Sequence, residues 1–524
     1  MILLIGVSSA IMPFQQRNLL SYVEAGTIVL ACLSVAVGAV ASESARELIE
    51  AVKVGDLTSV ERLVTSGVDV SSPQGDGATA LHWSVHRDNV ELSALLINVG
   101  ADVNAADDHG VTPLALACLN GNSAMVDQLL NAGADVTVAR MTGETPLMTA
   151  ARVGNLDVVR RLLAAGADPT ATELFRGQTA LMWAVAENQT AVARVILETG
   201  GGAATRTTNG FSPLLFAAQQ GNVDIARILL AAGADVNESA PDGIAGDTNA
   251  QVLFREGTDA SALMVAIDSS HSEMARFLIG GGANVNDSRA GRTPLHSAVQ
   301  QEMPEVAQAL LSAGADPNAR LEKRMPLLSR SITQDNGLTP TTVGATPFLL
   351  AASYGDVEMM QLLIDAGADP FLTTEDQTTA LMLAAGADYV EGQDKYGRRS
   401  YPAFLKTIQQ RAFGATKFCL ELGLDINAAN DKGQTPLFGA VYMGGTLIAP
   451  YLVEHGAEMD VMNRRGQTPW MVAAEGEYRS GSFYTHEETA EVLEELGADI
   501  TLGFDLGRDF AKQLEEAGTV EPVR

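Results

Sequence analysis

Aromatic residues make up only 5% of the 524 positions, cysteine occurs three times, and 34 Lys plus Arg face 64 Asp plus Glu. Each scarcity excludes something. So few rings, beside abundant Ala, Leu and Gly, exclude a large aromatic-rich core and favour thin layers of small helices. A formal net charge of −30 excludes nucleic acid as a general partner, because phosphate binding needs basic stripes that this surface lacks. Lys is confined to scattered sites such as Lys53, Lys323 and Lys512. Cys32 lies in an apolar N-terminal run, while Cys118 in "LALACL" and Cys419 in "FCLEL" stand far apart in apolar helical patterns. No disulfide is expected between them, and both read as small buried hydrophobes. No G-x-S-x-G elbow occurs, and the Gly-rich pieces "ETGGGAA" and "LIGGGAN" read as helix ends and not as phosphate loops. These absences point away from an enzyme, and no catalytic residue, cofactor or metal is expected.

What is present begins with the run Ala25 to Ala41, "AGTIVLACLSVAVGAVA", which follows Arg17 and ends in Ala39-Val40-Ala41 before Ser42-Glu43. It has the form of a signal-peptide h-region with an A-x-A cleavage site. At 17 residues it is marginal for spanning a bilayer, and no basic stop-transfer flank follows it. Export with cleavage after Ala41, to a periplasmic or extracellular location, is the expectation; an uncleaved membrane anchor is the alternative. Met12 offers a second start.

Beyond Ser42 the chain repeats itself. "GATALHWSVHRDNVELSALLINVGADVN" from Gly77, "GVTPLALACLNGNSAMVDQLLNAGADVT" from Gly110 and "GETPLMTAARVGNLDVVRRLLAAGADPT" from Gly143 open 33 residues apart. The pattern returns at Gly177, Gly210, Asp259, Gly291, Gly344, Gln377, Gly433 and Gly466. In "GRTPLHSAV", Thr293 can cap a first helix that Pro294 starts without a backbone donor, and Leu295, Ala298 and Val299 face inward. The glycine closing the second helix, as Gly314 in "LLSAGADPN", permits a left-handed turn. This period and the T-P-L-H-x-A signature resemble the ankyrin repeat. Units such as "GQTALMWAVAE" and "GATPFLLAASYGDVEMM" are also similar to a group of exported bacterial ankyrin-repeat proteins of unassigned activity. The resemblance implies an all-α ankyrin solenoid of about twelve helix-pair repeats, with β-turn fingers and inserted loops. It also implies a binding role toward a protein partner.

The chain then divides into a signal peptide or anchor at 1–41, an N-terminal capping repeat at 42–75 and regular repeats at 76–239. A finger insertion follows at 240–258, then repeats at 259–319, a second finger insertion at 320–343 and repeats at 344–388. An insertion between two helices occupies 389–413, repeats fill 414–503, and a cap and tail close the chain at 504–524. The 389–413 insertion, "YVEGQDKYGRRSYPAFLKTIQQRAF", carries five basic residues against two acidic ones, with five aromatics. Its second half reads as an extra helical turn or two running toward Phe418. A smaller expansion, "GEYRSGSFYTHEE", lies within the last repeat. Both should emerge on the rim opposite the fingers. Two readings of the basic insertion stand side by side: a contact site using Tyr396, Arg398, Arg399 and Tyr401, or an insert whose arginines pair with its own acidic scaffold.

Aligned repeats place His86-Arg87, Leu119-Asn120, Arg152-Val153, Ala186-Glu187, Gln219-Gln220, Asp268-Ser269, Gln300-Gln301 and Ser353-Tyr354 at the last exposed positions of successive first helices. Their variety on a near-constant frame is that of a recognition surface. Trp83 and Trp183 read as core between repeats. His82 and His86, with His109 in the next finger, form a remote metal or enzyme alternative; His82 and His296 otherwise read as structural, bonding an adjacent turn. The leading expectation is a non-enzymatic protein-binding scaffold or inhibitor, exported from a bacterial cytoplasm. A membrane-anchored adaptor with the same role is second, and membrane contact is expected only if the N-terminal segment is retained.

Overall fold

The computed structural model describes residues 43–240, 259–323, 342–388, 402–479 and 482–502, with the backbone alone at 402–405, 477–479 and 482–484. The N-terminal apolar run, the larger part of each finger insertion, residues 389–401 and the C-terminal cap from 504 lie outside the described residues.

The described helices fall into twelve consecutive pairs. The chain divides after Thr208 into two compact units. The first holds repeats 1 to 5: 43–54 with Leu57–Thr65, Ala80–His86 with Val90–Asn98, Pro113–Asn120 with Ser123–Asn131, Pro146–Val153 with Leu156–Ala164, and Ala180–Ala186 with Thr190–Glu198. The second holds repeats 6 to 12. These are Pro213–Gln220 with Val223–Ala231, Ala262–Asp268 with Ser272–Gly280, Pro294–Gln300 with Pro304–Ser312, Pro347–Ser353 with Val357–Asp365, Ala380–Ala385 with Pro402–Glu421, Pro436–Tyr442 with Ile448–Glu454, and Pro469–Glu475 with Glu487–Glu495.

Local chemistry sets each pair. Thr112, Thr145 and Thr346 are extended N-caps whose hydroxyls accept the N3 backbone N–H, and a proline at N1 starts each of these helices. The second helices are capped by carboxamides, as at Asn89, Asn122, Asn155 and Asn222. Along them burial recurs at i, i+1 and i+4: Met125, Val126 and Leu129, then Val158, Val159 and Leu162, then Ile225, Ala226 and Leu229. That narrow stripe cannot close a core alone, so each pair stacks on its neighbours.

Two ladders of hydrogen bonds tie the repeats within each unit. In the fingers, Asp108 N–H donates to the Asp76 carbonyl at 3.0 Å, Met141 to His109 at 3.1 Å and Leu174 to Thr142 at 2.9 Å. Where each second helix leads into the next finger, the asparagine of "GADVN" or "GADPN" is a clip. Asn318 donates its amide to the Gly367 carbonyl at 3.1 Å while its own oxygen accepts Asp369 N–H at 2.8 Å. Asn104 and Asn427 do the same. These asparagines look like turn residues in sequence, and their reach to the next repeat is visible only in three dimensions.

The insertion between helices in repeat 10 ends as a single helix of 20 residues, Pro402–Glu421, where other second helices have seven or nine. The expected turn or two is thus about three turns, because nothing between Pro402 and Phe413 breaks the helix. This added segment lies across the inter-helix turns of neighbouring repeats. Arg411 pairs with Glu302 of repeat 8, and Gln409 donates to the carbonyls of Met443 (3.2 Å) and Gly444 (3.1 Å) in repeat 11. The smaller expansion forms the antiparallel hairpin Glu477–Arg479 with Ser482–Tyr484, a departure from an all-helical chain. The alternation "EYRSGSFY", with β-formers about a Ser-Gly turn, was a signal for it. The His486 ring that follows packs on Gly444, so both expansions converge on the turn of repeat 11.

Gly355 shows how closely the long helix lies. Its φ is +66°, and a Cβ there would sit 2.8 Å from Arg411 backbone. Gly133 has φ +88° and open space around it. Gly133→Ala is therefore expected to cost about 1 kcal/mol from backbone strain alone, and Gly355→Ala roughly 2–4 kcal/mol through added overlap. Urea denaturation of the two variants checks this; equal costs would mean that the long helix does not bear on the turn.

Candidate protein-recognition surface

In repeats 7 to 11 the first helices are buried all round, including Val265, Ser297, Leu350, Leu383 and Gly439. The equivalent positions in repeats 2 to 5 are Trp83, Leu116, Thr149 and Trp183; Thr149 is buried and the other three are half-buried, and exposed residues stand at or just after the ends of the helices that carry them. The first unit therefore presents an open face. Trp83 and Trp183, expected as core between repeats, do lie between repeats but are only half-buried, each under a cation of the preceding repeat. Lys53 Nζ is 4.5 Å from the Trp83 ring centroid, and Arg152 Cζ is 5.0 Å from that of Trp183. Such contacts contribute about 0.5–1 kcal/mol each at exposed sites.

The finger tips beside this face expose an apolar patch that the sequence pattern had not singled out. Met141, Leu174 and Phe175 are 71%, 73% and 75% exposed. The finger ladder holds them side by side, since Leu174 N–H donates to Thr142 and its side chain lies against Gly143. Glu173 sets the tip by accepting the backbone N–H of Phe175, Arg176 and Gln178. One signal was available: "RMTGE" and "ELFRG" place large apolar residues where other fingers carry polar ones, such as Asp108, Thr208 and Asp431.

The residues expected at the exposed helix ends fare differently. His86, Arg87, Glu187 and Gln220 are exposed. His86 stands edge-on to Trp83 at 5.7 Å. Asn120 is exposed, yet its amide donates to the Val85 carbonyl at 2.7 Å and so ties repeat 3 to repeat 2. Arg152 is exposed and shares the buried Glu144 with Arg140, at 3.7 and 3.1 Å. Gln219 and Gln301 are half-buried, as is Tyr354. Two of the expectations are corrected. Asp268 is held by Arg292 at 2.6 Å, with Arg292 only 5% exposed, so its carboxylate joins repeats 7 and 8. Gln300 is 4% exposed, inside a first helix with no open side. Tyr396, Arg398, Arg399 and Tyr401 lie outside the described residues.

Of the basic residues in that insertion, Arg411 pairs with the scaffold through Glu302, while Lys406 is exposed. In the second finger insertion Arg320 donates to the carbonyls of Gly344 (3.2 Å) and Thr373 (2.8 Å), bracing the finger.

The histidines of the repeat signature are structural. Thr79 N–H donates to His82 Nδ1 at 3.1 Å, and Nε2 lies 2.9 Å from the Val111 carbonyl of the next repeat. His296 repeats this with Thr293 and the Ala345 carbonyl, at 3.2 Å each. With Nδ1 accepting, the ring carries its proton on Nε2, and a second proton would face the backbone N–H. Burial drives His296 down to about 4, against the pull of the Ala345 carbonyl, and burial also lowers His82. Among the described residues no three His, Cys, Asp or Glu side chains come together to hold a metal ion. Cys118 and Cys419 are buried free thiols whose ionisation burial pushes upward, to about 12 at Cys419.

Models of the family described as ankyrin repeats match residues 48–140, 147–240, 245–320 and 408–503, and a single ankyrin repeat matches 343–375. The chain belongs to the ankyrin-repeat family, and its repeats form a scaffold for protein–protein interaction. It is 30% identical to mouse ankyrin repeat and SOCS box protein 16 over 34% of its own length and 39% of that protein. It is 32% identical to human neurogenic locus notch homolog protein 1 over 35% of this chain and 6% of that one. Human B-cell lymphoma 3 protein is 30% identical over 35% of this chain and 39% of its own. The chain thus spans well under half the length of the curated relatives it matches.

His296 yields a pH dependence. Its folded pKa lies below the ordinary value of 6.5, so the unfolded chain binds a proton that the folded one refuses. The stability is complete above pH 6.5 and is lost as pH falls toward 4, by roughly 3 kcal/mol at that histidine. An NMR titration should find its ring neutral through about pH 5, and His296→Gln should flatten the acid limb of urea stability. A ring titrating near 6.5 would contradict this.

Proposed function

We propose that the chain is a non-catalytic adaptor or inhibitor that holds one protein partner on the open face of repeats 2 to 5. The observation that carries this reading is the contrast between the two units. In repeats 2 to 5 Trp83 and Trp183 are half-buried and Arg152, Met141, Leu174 and Phe175 are exposed, whereas the first helices of repeats 7 to 11 are enclosed and the large apolar residues exposed beyond them, Phe371, Leu447 and Met462, are far apart along the chain. An apolar cluster ringed by polar residues is the usual form of a contact site, and aromatic and arginine side chains dominate binding energy where they are desolvated. The protein acts after export, with Ser42 as its first residue; this rests on the h-region and the Ala39-Val40-Ala41 site. Among the described residues no helix is long and apolar enough to cross a membrane, and the run 25–41 lies outside them.

Affinity capture from the native envelope tests both halves at once. The wild-type bait should recover a protein that Leu174→Ser/Phe175→Ser bait retains at least about tenfold less well, with unchanged melting temperature. N-terminal sequencing of the recovered chain should start at Ser42. Equal recovery by both baits would contradict the binding face, and an intact Met1 or Met12 would replace export with anchoring.

A further inference from the structure

The bonds that tie one second helix to the next are uneven along the first unit. Repeats 2 and 3 are joined at both ends of these helices: the Asn104 clip takes the Gly133 carbonyl and Asp135 N–H, and Asn122 donates to the Asp88 carboxylate at 2.7 Å. Repeats 3 and 4 keep the turn bond, from Asn155 to the Gly121 carbonyl at 2.5 Å, and add Arg161 to Asp127 at 2.6 Å. The clip is lost there, because Thr137 turns its hydroxyl back to its own neighbour Asp135. Between repeats 4 and 5 Thr170 turns back to Asp168 in the same way. Gln189 stands where repeats 2, 3 and 4 have asparagine, and its longer side chain lies against Gly154 without capping the helix it precedes. Neither the clip nor the turn bond therefore joins these two second helices among the described residues. The exit from the helix differs too, since Gly201 and Gly202 follow Gly200 where repeat 4 has Ala167-Asp168 after Gly166, and each added glycine frees the backbone.

We propose that the second helix of repeat 5, Thr190–Glu198, is a flap hinged on Gly200 to Gly202, which swings away from repeat 4 and back while repeats 2 to 4 stay stacked. Its inward stripe of Val192, Ala193 and Ile196 still draws it closed. With the directional bonds gone at both ends and no side-chain cap, opening costs less here than at the neighbouring seams. The first helix of repeat 5 carries Trp183 under Arg152 of repeat 4, so this end of the open face loosens when the flap leaves. The flap is a property of the stack and stands whether or not repeats 2 to 5 hold the partner. Where they do, it lets the face adjust its width to what it holds.

Hydrogen–deuterium exchange on the full chain, free in solution, tests this. Protection factors over 190–198 should be about tenfold lower than over 123–131, although each of the two helices buries three residues. Thr170→Asn/Gln189→Asn, which restores the clip and the turn bond, should raise protection of 190–198 by about the same factor and leave 123–131 unchanged. The reverse change, Asn104→Thr/Asn122→Gln, should lower protection of 123–131. Equal protection of the two helices in the natural chain would overturn the flap, as would a 190–198 segment that does not respond to Thr170→Asn/Gln189→Asn. No partner enters the experiment, so its failure leaves the binding face untouched.

Discussion

No helix pair in this protein can bury its own apolar stripe. The second helices hide residues at i, i+1 and i+4 only, and the first helices are apolar on most sides, so burial is complete only between neighbours. Everything else follows from that stacking. The spacing must stay uniform where repeats touch, so insertions are tolerated only at the finger tips or in the turns between helices. The hydrogen-bond ladders, through the finger backbones and through asparagine clips where the second helices lead into the fingers, then fix the rotation between repeats.

The same constraint explains how one family of repeats yields two different surfaces. Where first helices end in Arg, Asn or Glu, the stack keeps an open side, as in repeats 2 to 5. In repeats 7 to 11 the first helices are enclosed, and even polar side chains are drawn inward, as with Arg292 and Asp268 or Gln300. The long helix of repeat 10 adds bracing along the turns through Arg411, Gln409 and the close contact at Gly355. Its arginine therefore has a structural partner, which favours the self-bracing reading for that part of the basic insertion. Variation at the helix ends thus includes internal locking, by Asn120 in the first unit and by Asp268 and Gln300 in the second.

The repeat, its period, the threonine caps of its first helices and the histidine bonds were legible in the sequence because each depends on neighbours within one period. Thr293, Pro294, Leu295 and His296 need only one another and the following turn. The open face was legible only in part. Alignment could mark Asp268 and Gln300 as variable helix ends, but not show that Arg292 would take the first or that burial would take the second. Asn120 misled for the same reason, since its partner Val85 is a whole repeat away. The Met141, Leu174 and Phe175 patch was missed because the tips are judged in sequence by their glycines. Which apolar residues remain exposed depends on the packing of adjacent fingers.

Hydrogen–deuterium exchange on the mature chain, free and bound to its captured partner, bears most directly on the central claim that recognition belongs to the open face of the first unit. Slowed exchange should centre on 138–153 and 172–187 and spare 262–268 and 294–300. Protection confined to repeats 7 to 11, or to the long helix after Pro402, would contradict it.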